Sequence, residues 1–398
     1  MKPVEIAPDI YWVGAVDWNI RDFHGYLTKE GTTYNAFLVM DDKITLVDTV
    51  KREFVGDLIA KISHIVDPKR IDYVISNHTE MDHSGGLPDV MKKIGEDKPI
   101  YCSKKGFENL SHHFYHNRFN YQAVDDGGEL SIGKRTLTFL ETRMLHWPDS
   151  MFTYDRNDKI LFCSDAFGQH YASLERFDDE IEEDIMPHAK KYFANILLVY
   201  APLILKLLEK VQKLGLEFNI ICPDHGIMWR RDINEIIEAY VEWSEQKPKK
   251  KALVIYDTMW HSTEMMAEAI IAGISEQGVA AKPINIRKSH RSDIMTELMD
   301  AGAVIVGSPT LNNGLFPTVI DVLTYIKGLK PKNKICAAFG SYGWSGEAVK
   351  LINREFEEMK LDIIDPGINI QFVPDEGGLE ACRVLGRKIG EALSNRSK

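Results

Sequence analysis

Residues 77–86 read NHTEMDHSGG, and within them His78, Glu80, Asp82 and His83 put two imidazoles and two carboxylates into one short turn. Each of these side chains can bind a metal ion, and imidazole and carboxylate donors together suit divalent first-row metals. The apolar run 71–76 just before them reads as a strand, whose alternation would send neighbouring side chains to opposite faces. A tight loop at the strand end must therefore turn the four toward one point. Isolated polar residues follow other apolar runs: His146 in LHWPDS, Asp165 in FCSDAFG and His225 in PDHGIMW. The full set is four imidazoles and three carboxylates. One ion takes about four to six donors, so the count implies two ions that share a carboxylate.

Holding donors so far apart in the chain requires a frame rich in strands. Residues 10–13, 33–40 and 43–47 read as short strands, 53–65 as an amphipathic helix, 71–76 as a strand and 87–94 as a helix. A strand at 100–102 and a helix at 106–116 follow, then strands at 133–141, 150–154 and 159–164. A long helical region is expected over 178–215, a strand at 218–222 and a helix at 233–245. The donors fall at strand-to-loop transitions, so a layered β-rich domain should carry them along one sheet edge.

QKPKKK at 246–251 is charged, contains proline and has no apolar anchor, which marks a domain boundary. Beyond it strands alternate regularly with helices: 252–256 with 264–277, 303–307 with 318–327, 334–339 with 347–359, and 368–373 with 378–393. Such alternation implies parallel strands and right-handed crossovers, a doubly wound sheet of about 150 residues. The division expected is 1–248 and 249–398.

The second half has its own ligand-binding signals. YDTMWHSTE at 256–264 follows a strand and opens a helix, and it carries neither a dinucleotide nor a nucleotide-triphosphate glycine pattern. It offers the hydroxyls of Thr258, Ser262 and Thr263, which with backbone N–H groups at a helix start can hold a phosphate. A Ser/Thr-rich helix cap accounts for the same composition. Two further strand ends, SPTLNNG at 308–314 and FGSYGWSG at 339–346, have the composition of ligand-contacting loops at the carboxyl edge of a parallel sheet.

The chain has 398 residues, 44% hydrophobic and 27% charged, as in a soluble globular protein of two or three domains. A net charge of -11 argues against a nucleic-acid or anionic-membrane binder. No stretch approaches about 20 uncharged apolar residues and the start shows no signal-peptide core, so a cytoplasmic location is expected. The five cysteines form no C-x-x-C pair and read as buried thiols, with no thiolate metal site and no disulfide framework.

The order His-x-Glu-x-Asp-His, distant His, Asp after a strand, then His resembles the metallo-β-lactamase fold. Glu80 at its third position matches the flavodiiron branch, where the zinc hydrolases have histidine. The second half resembles a flavodoxin. Together they resemble a flavodiiron protein across essentially the whole chain, an αββα sandwich followed by a flavodoxin-like sheet.

The resemblance implies one iron on His78, Glu80 and His146, another on Asp82, His83 and His225, and Asp165 bridging. It implies FMN on Thr258, Met259, Trp260, His261, Ser262 and Thr263, with Pro309, Thr310, Asn312, Asn313 and Gly314 at the isoalloxazine edge. Ser341, Tyr342, Gly343 and Trp344 would add backbone contacts and a stacking ring. His261 departs from the family pattern, where glycine is common. The implied activity is reduction of nitric oxide, dioxygen or both, with electrons from a separate carrier, by family habit rubredoxin, and a head-to-tail homodimer.

His24, in RDFHGY, sits in a glycine-containing loop that can reach over a site as a proton donor. His112, His113 and His116 read as a helix face, and His170, His188 and Tyr192 as packing or surface positions. Two other classes share parts of these motifs. One is a binuclear zinc hydrolase carrying a flavodoxin domain, which Glu80 argues against. The other is an electron-transfer flavoprotein whose first half is only a scaffold.

Overall fold

In the first half, strands with alternating apolar residues build two sheets that share a core. The larger has seven strands in the order Val4–Ala7, Ile10–Trp12, Phe37–Val39, Thr45–Val47, Tyr73–Ser76, Pro99–Ser103 and Asn120–Val124. The smaller has five, Glu129–Ser131, Thr136–Glu141, Met151–Asp155, Ile160–Phe162 and Ile220–Cys222. The two-residue period divides the side chains cleanly. Val47 and Ile75 join Phe139, Met151 and Phe162 between the sheets, while Leu46 and Val74 pack under helices on the outer face. Helix Leu87–Ile94 buries Leu87, Val90, Met91 and Ile94, an i, i+3, i+4, i+7 stripe, and ends at Gly95.

The structure, a computed structural model, describes residues 2–396. Its chain contacts divide it into two units. The first runs to His24 and adds Thr28–Phe193 and Tyr200–Val241; the second holds Gly25–Leu27, Ala194–Val199 and the chain from Glu242 on.

The helical region expected over 178–215 is broken. Residues 178–185 are not helical, Met186–Tyr192 is a short α-helix, Phe193–Leu197 a π-turn, and Ala201–Lys213 a second α-helix. Pro187 and Pro202 each stand in a helical first turn, where a missing N–H costs nothing, so they mark two starts. Asp178 serves the loop by accepting the backbone N–H groups of Arg230, Arg231 and Asp232. The helical run Met186–Lys213 is long and apolar enough to cross a membrane, yet half of its apolar window is buried in the protein.

The second unit is a parallel sheet in the order Ala280–Asn285, Lys249–Tyr256, Ala301–Gly307, Ile335–Tyr342 and Asp362–Ile363, with Ile368–Gln371 also paired to Ile335–Tyr342. The first strand thus lies between the second and third. That reversal opens a crevice at the carboxyl ends, the usual ligand site of such sheets. Strand Ala280–Asn285 and helix Arg291–Asp300 escape the sequence reading. Pro283, next to exposed Lys282, makes that strand look unlike a core strand, and its place at the sheet edge is what tolerates them. Lys249–Lys251 also belongs to a strand, its charges matched by Glu242 and Glu297.

All five cysteines are buried. Burial pushes the thiols of Cys102 and Cys336 up to about 12 and that of Cys382 up to about 11, and lifts those of Cys163 and Cys222 well above the ordinary range.

Candidate functional site

The strand Tyr73–Ser76 delivers the chain to Asn77, which is pinned before the donors begin. Its backbone N and side-chain Nδ2 donate to Asp48, 2.7 Å each, and its Oδ1 accepts from Thr153 Oγ1 at 2.7 Å. One helical turn, Met81–Ser84, then folds Asp82 and His83 back beside His78 and Glu80. His146 and Asp165 come from loops of the five-stranded sheet, and His225 lies three residues past strand Ile220–Cys222.

These seven residues form two groups that meet at Asp165. In one, His146 Nε2 lies 3.0 Å from Glu80 Oε2 and 2.8 Å from Asp165 Oδ2, and His78 Nε2 lies 3.4 Å and 3.6 Å from the same two oxygens. In the other, His83 Nε2 and His225 Nε2 lie 3.2 Å and 3.1 Å from Asp82 Oδ2, and 3.3 Å and 3.5 Å from Asp165 Oδ1. Each Asp165 oxygen thus serves a different group. Every imidazole aims Nε2 inward, and on three of the four a group outside the cluster faces Nδ1. Asp149 Oδ2 stands 3.1 Å from His78 Nδ1, Thr33 O 2.7 Å from His225 Nδ1, and Asp224 Oδ2 3.7 Å from His83 Nδ1. Such outer partners set the tautomer and the ring orientation of metal-binding histidines.

Burial alone would push the Glu80 carboxyl up, but hydrogen bonds from His146 and His78 outweigh it and hold it down to about 2. Asp82 and Asp165 likewise resist burial, held well below the carboxylate range by His83 and its neighbours. Burial disfavours charge on His78 and His83, yet the surrounding carboxylates raise both well above the ordinary imidazole value. The cluster is therefore a field of fixed negative charge that calls for cations at the Nε2 positions. Both oxygens of Asp82, both ring nitrogens of His83 and Oδ1 of Asp165 are buried without a hydrogen-bond partner. Leaving charged groups so is costly unless they bind a metal. The donor set fits one: four donor side chains (His78, Glu80, His146, Asp165) and three (Asp82, His83, His225) each bring their ligand atoms within 4.8 Å of one another.

The other histidines separate by place. His24, at φ 55°, brings Nε2 to 3.3 Å from Glu80 Oε1 with its side chain 73% exposed. His170 is buried, with Nδ1 2.9 Å from Thr32 Oγ1 and its ring 4.9 Å from that of His225 and 5.0 Å from that of Tyr192. His112, His113 and His116 are exposed, and His188 pairs with Glu183 away from the cluster. Sequence reasoning missed Asp48, Asp149 and Asp224. Asp149 and Asp224 lie within three residues of a donor, but proximity in the chain does not say which way a carboxylate points.

In the second unit, the loop 257–261 leads into helix Ser262–Ser275 through His261 at φ 66°. That left-handed conformation is where a glycine would be expected, and histidine is among the residues that tolerate it. The loop presents Thr258 Oγ1 buried without a hydrogen-bond partner, and Thr263 Oγ1 meets Ser341 Oγ, near the end of strand Ile335–Tyr342, at 2.9 Å. Asp257 is fully buried and receives Arg287 Nε at 2.7 Å and Thr318 Oγ1 at 2.5 Å, which fixes the loop's base. Pro309 is buried, Thr310 N donates to Ser341 O at 2.9 Å, and Asn312 and Asn313 both take left-handed φ in a tight turn closed between Leu311 and Gly314. Met259 is exposed, and Trp260 and Trp344 are exposed to 86% and 88%. Gly343 O accepts Gln371 Nε2 at 2.8 Å and Tyr342 O accepts Phe372 N at 2.7 Å, so the last strand adds residues to this edge that the sequence reading did not name. Hydroxyls and an orphaned oxygen at a helix start, beside uncovered aromatic rings, fit a phosphorylated planar cofactor.

A β-lactamase-like sandwich holding a two-group donor cluster, followed by a doubly wound sheet with a flavin-type edge, defines a two-domain metalloflavoprotein. Residues 32–226 match the family described as ODP family beta lactamase, and residues 254–386 match Flavodoxin. The nitric oxide reductase of Moorella thermoacetica is 48% identical, over 99% of this chain and 100% of that protein. The structure of rubredoxin oxygen:oxidoreductase from Desulfovibrio gigas superposes with a TM-score of 0.97 at 43% identity, covering 100% of both chains. That of the flavodiiron protein from Giardia intestinalis gives 0.95 at 37% identity, covering 100% of this chain and 98% of the other. The chain belongs to the flavodiiron family of oxidoreductases.

Proposed function

We propose that this protein is a flavodiiron reductase that takes electrons through FMN to a non-haem di-iron centre and there reduces nitric oxide to nitrous oxide, dioxygen to water, or both. The observation that carries the reading is Asp165, whose two oxygens face two separate donor groups. His78, Glu80 and His146 would hold one iron, Asp82, His83 and His225 the other, and Asp165 both. When bound, the iron pair supplies redox change and open positions for a diatomic molecule, and FMN supplies the electron relay.

The chain's own part is to orient and to shield. Asp149, Asp224 and Thr33 O aim three imidazoles inward, and burial keeps water from the donors. Glu80 puts a hard, anionic oxygen where a third imidazole would favour zinc. His24 is positioned by Glu80 Oε1 to deliver a proton from Nε2 at the exposed side of the cluster. A His24→Gln protein with full metal and flavin content and an unchanged turnover rate would remove that role.

Residues 1–248 would be the di-iron domain and 249–398 the FMN domain. Thr258 to Thr263 would hold the phosphate, with Pro309–Gly314 and Ser341–Trp344 at the ring. Two nitric oxide molecules need two electrons and two protons to leave as nitrous oxide and water; dioxygen needs four of each. An external carrier, by family habit rubredoxin, would supply the electrons to a cytoplasmic head-to-tail homodimer, and the protons would come from solvent through groups such as His24.

The test is anaerobic turnover of the reduced protein with nitric oxide and with dioxygen separately, with nitrous oxide measured, alongside metal analysis. Two zinc ions per chain and no iron, or reductase activity that survives Glu80→Ala, would overturn the reading.

A further inference from the structure

We propose that Asn35 is a positioning residue for His225, and that it sets the geometry of one half of the metal centre without touching it. The inference rests on the reading of His225 as a metal ligand. Residues 223–226 are a loop with no regular structure to fix their shape, yet this loop carries the one donor supplied by the last strand of the five-stranded sheet. A single residue some 190 positions earlier grips it three times. Asn35 Nδ2 donates to Pro223 O at 2.7 Å and to Gly226 O at 3.0 Å, and Asn35 N donates to Asp224 O at 2.7 Å. These three carbonyls bracket His225 on both sides.

The grip has a defined direction. Trp12 Nε1 donates to Asn35 Oδ1 at 2.8 Å, which leaves the amide nitrogen facing the loop. Both Asn35 and Trp12 are fully buried. Trp12 itself is held on its ring by Arg176 at 4.4 Å and Lys61 at 5.3 Å. Two residues before Asn35, Thr33 O takes the proton of His225 Nδ1 at 2.7 Å and Thr33 Oγ1 takes Gly226 N at 2.6 Å. Gly226, at φ +80°, has no room for a Cβ, which would stand 1.8 Å from Gln169 Oε1. The loop thus has little freedom of its own, and where His225 Nε2 points is decided by how Asn35 seats it. A displacement of a few tenths of an ångström there changes the distance to Asp82 and Asp165 together.

Asn35→Asp keeps the size and the acceptor for Trp12, and turns both donor contacts into repulsion between oxygens. Expected in the full chain, reduced anaerobically and challenged with an iron(II) chelator, is selective release: one of two irons leaves about 10- to 100-fold faster, the other at the wild-type rate, with FMN absorbance unchanged. Ile132→Val, in the core between the sheets, serves as a control that lowers the melting temperature without changing either rate. Wild-type release of both irons from Asn35→Asp, or equal acceleration of both, overturns the proposal. Should Asn35→Asp not accumulate as folded protein, Trp12→Phe carries the test, because it removes only the donor that orients the amide. Release there at the wild-type rate overturns the proposal too. If His225→Ala keeps two tightly held irons, the ligand reading itself has failed; if His225→Ala loses one and the Asn35 and Trp12 variants lose none, only the inference about Asn35 has.

Discussion

At the metal cluster five of the seven donor residues are buried, and their charges are fixed by one another; at the edge proposed for the flavin two tryptophans are almost fully exposed, and hydroxyls and backbone groups stand where it would bind. In the cluster, Asp165 answers four imidazoles at once, so removing it changes the charge balance of every neighbour. In the proposed flavin loops, Thr258, Thr263 and the amides near them would each hold a share of the phosphate. Buried charge concentrates dependence on single residues, whereas a polar cradle spreads it. The two halves should therefore fail differently when residues are removed.

The sharpest break comes from Asp165→Ala. It should strip the cluster to less than one metal ion per chain and lower turnover with either substrate by at least about 100-fold, more than the loss of an outer partner costs. FMN absorbance and flavin reduction should persist, and their joint loss would show that the halves do not fail separately. Asp149→Asn comes next. It weakens the partner of His78 Nδ1 and of Thr79 N, which lie 3.1 Å and 2.7 Å from Asp149 Oδ2. Metal affinity by chelator competition should fall about 10- to 100-fold.

Thr258→Val removes one hydroxyl from the flavin loop. FMN should bind about 5- to 10-fold more weakly by fluorescence titration, with metal content unchanged, as one shared hydrogen bond is worth about 1 kcal/mol. A loss beyond about 100-fold would put the flavin edge in the same regime as the cluster.

The smallest effect belongs to Glu297, held by Lys251 at 2.6 Å and Lys282 at 2.8 Å. Burial pushes this carboxyl up, but the two lysines outweigh it and lower it below the ordinary value. A lowered carboxylate contributes stability above the unfolded-state value and loses it as the pH falls. Glu297→Gln should thus cost about 0.5 kcal/mol near pH 7 in denaturant unfolding of the FMN-bound protein, after allowing for solvent screening, and the cost should disappear as the pH falls through the lowered value of this carboxyl.

What could be read from the chain follows the same division. His78 to His83 stand out because four donors in six residues have no packing use at a strand end, and the structure brings them together with His146, Asp165 and His225. Asp48, Asp149, Asp224 and Asn35 are invisible by comparison. Each is an ordinary polar residue until the fold turns it toward a particular nitrogen or carbonyl. The flavin loops are legible as composition, with hydroxyls at the first strand end and Gly, Asn and Trp at the other two, but Gln371 and Phe372 join them only through hydrogen bonds to the carbonyls of Gly343 and Tyr342. Strand Ala280–Asn285 is lost to its proline and lysine, residues that only an edge position accepts.

The enclosure of the five cysteines has a bearing on durability. Sulfur reacts with oxidants and with nitrosating species as the exposed thiolate, and here every thiol is both covered and held in its protonated form. A catalyst that draws nitric oxide or dioxygen toward itself would otherwise be the first target of the species those gases form. This one meets them with every cysteine thiol covered, so the native protein should resist alkylation by thiol reagents until it is unfolded.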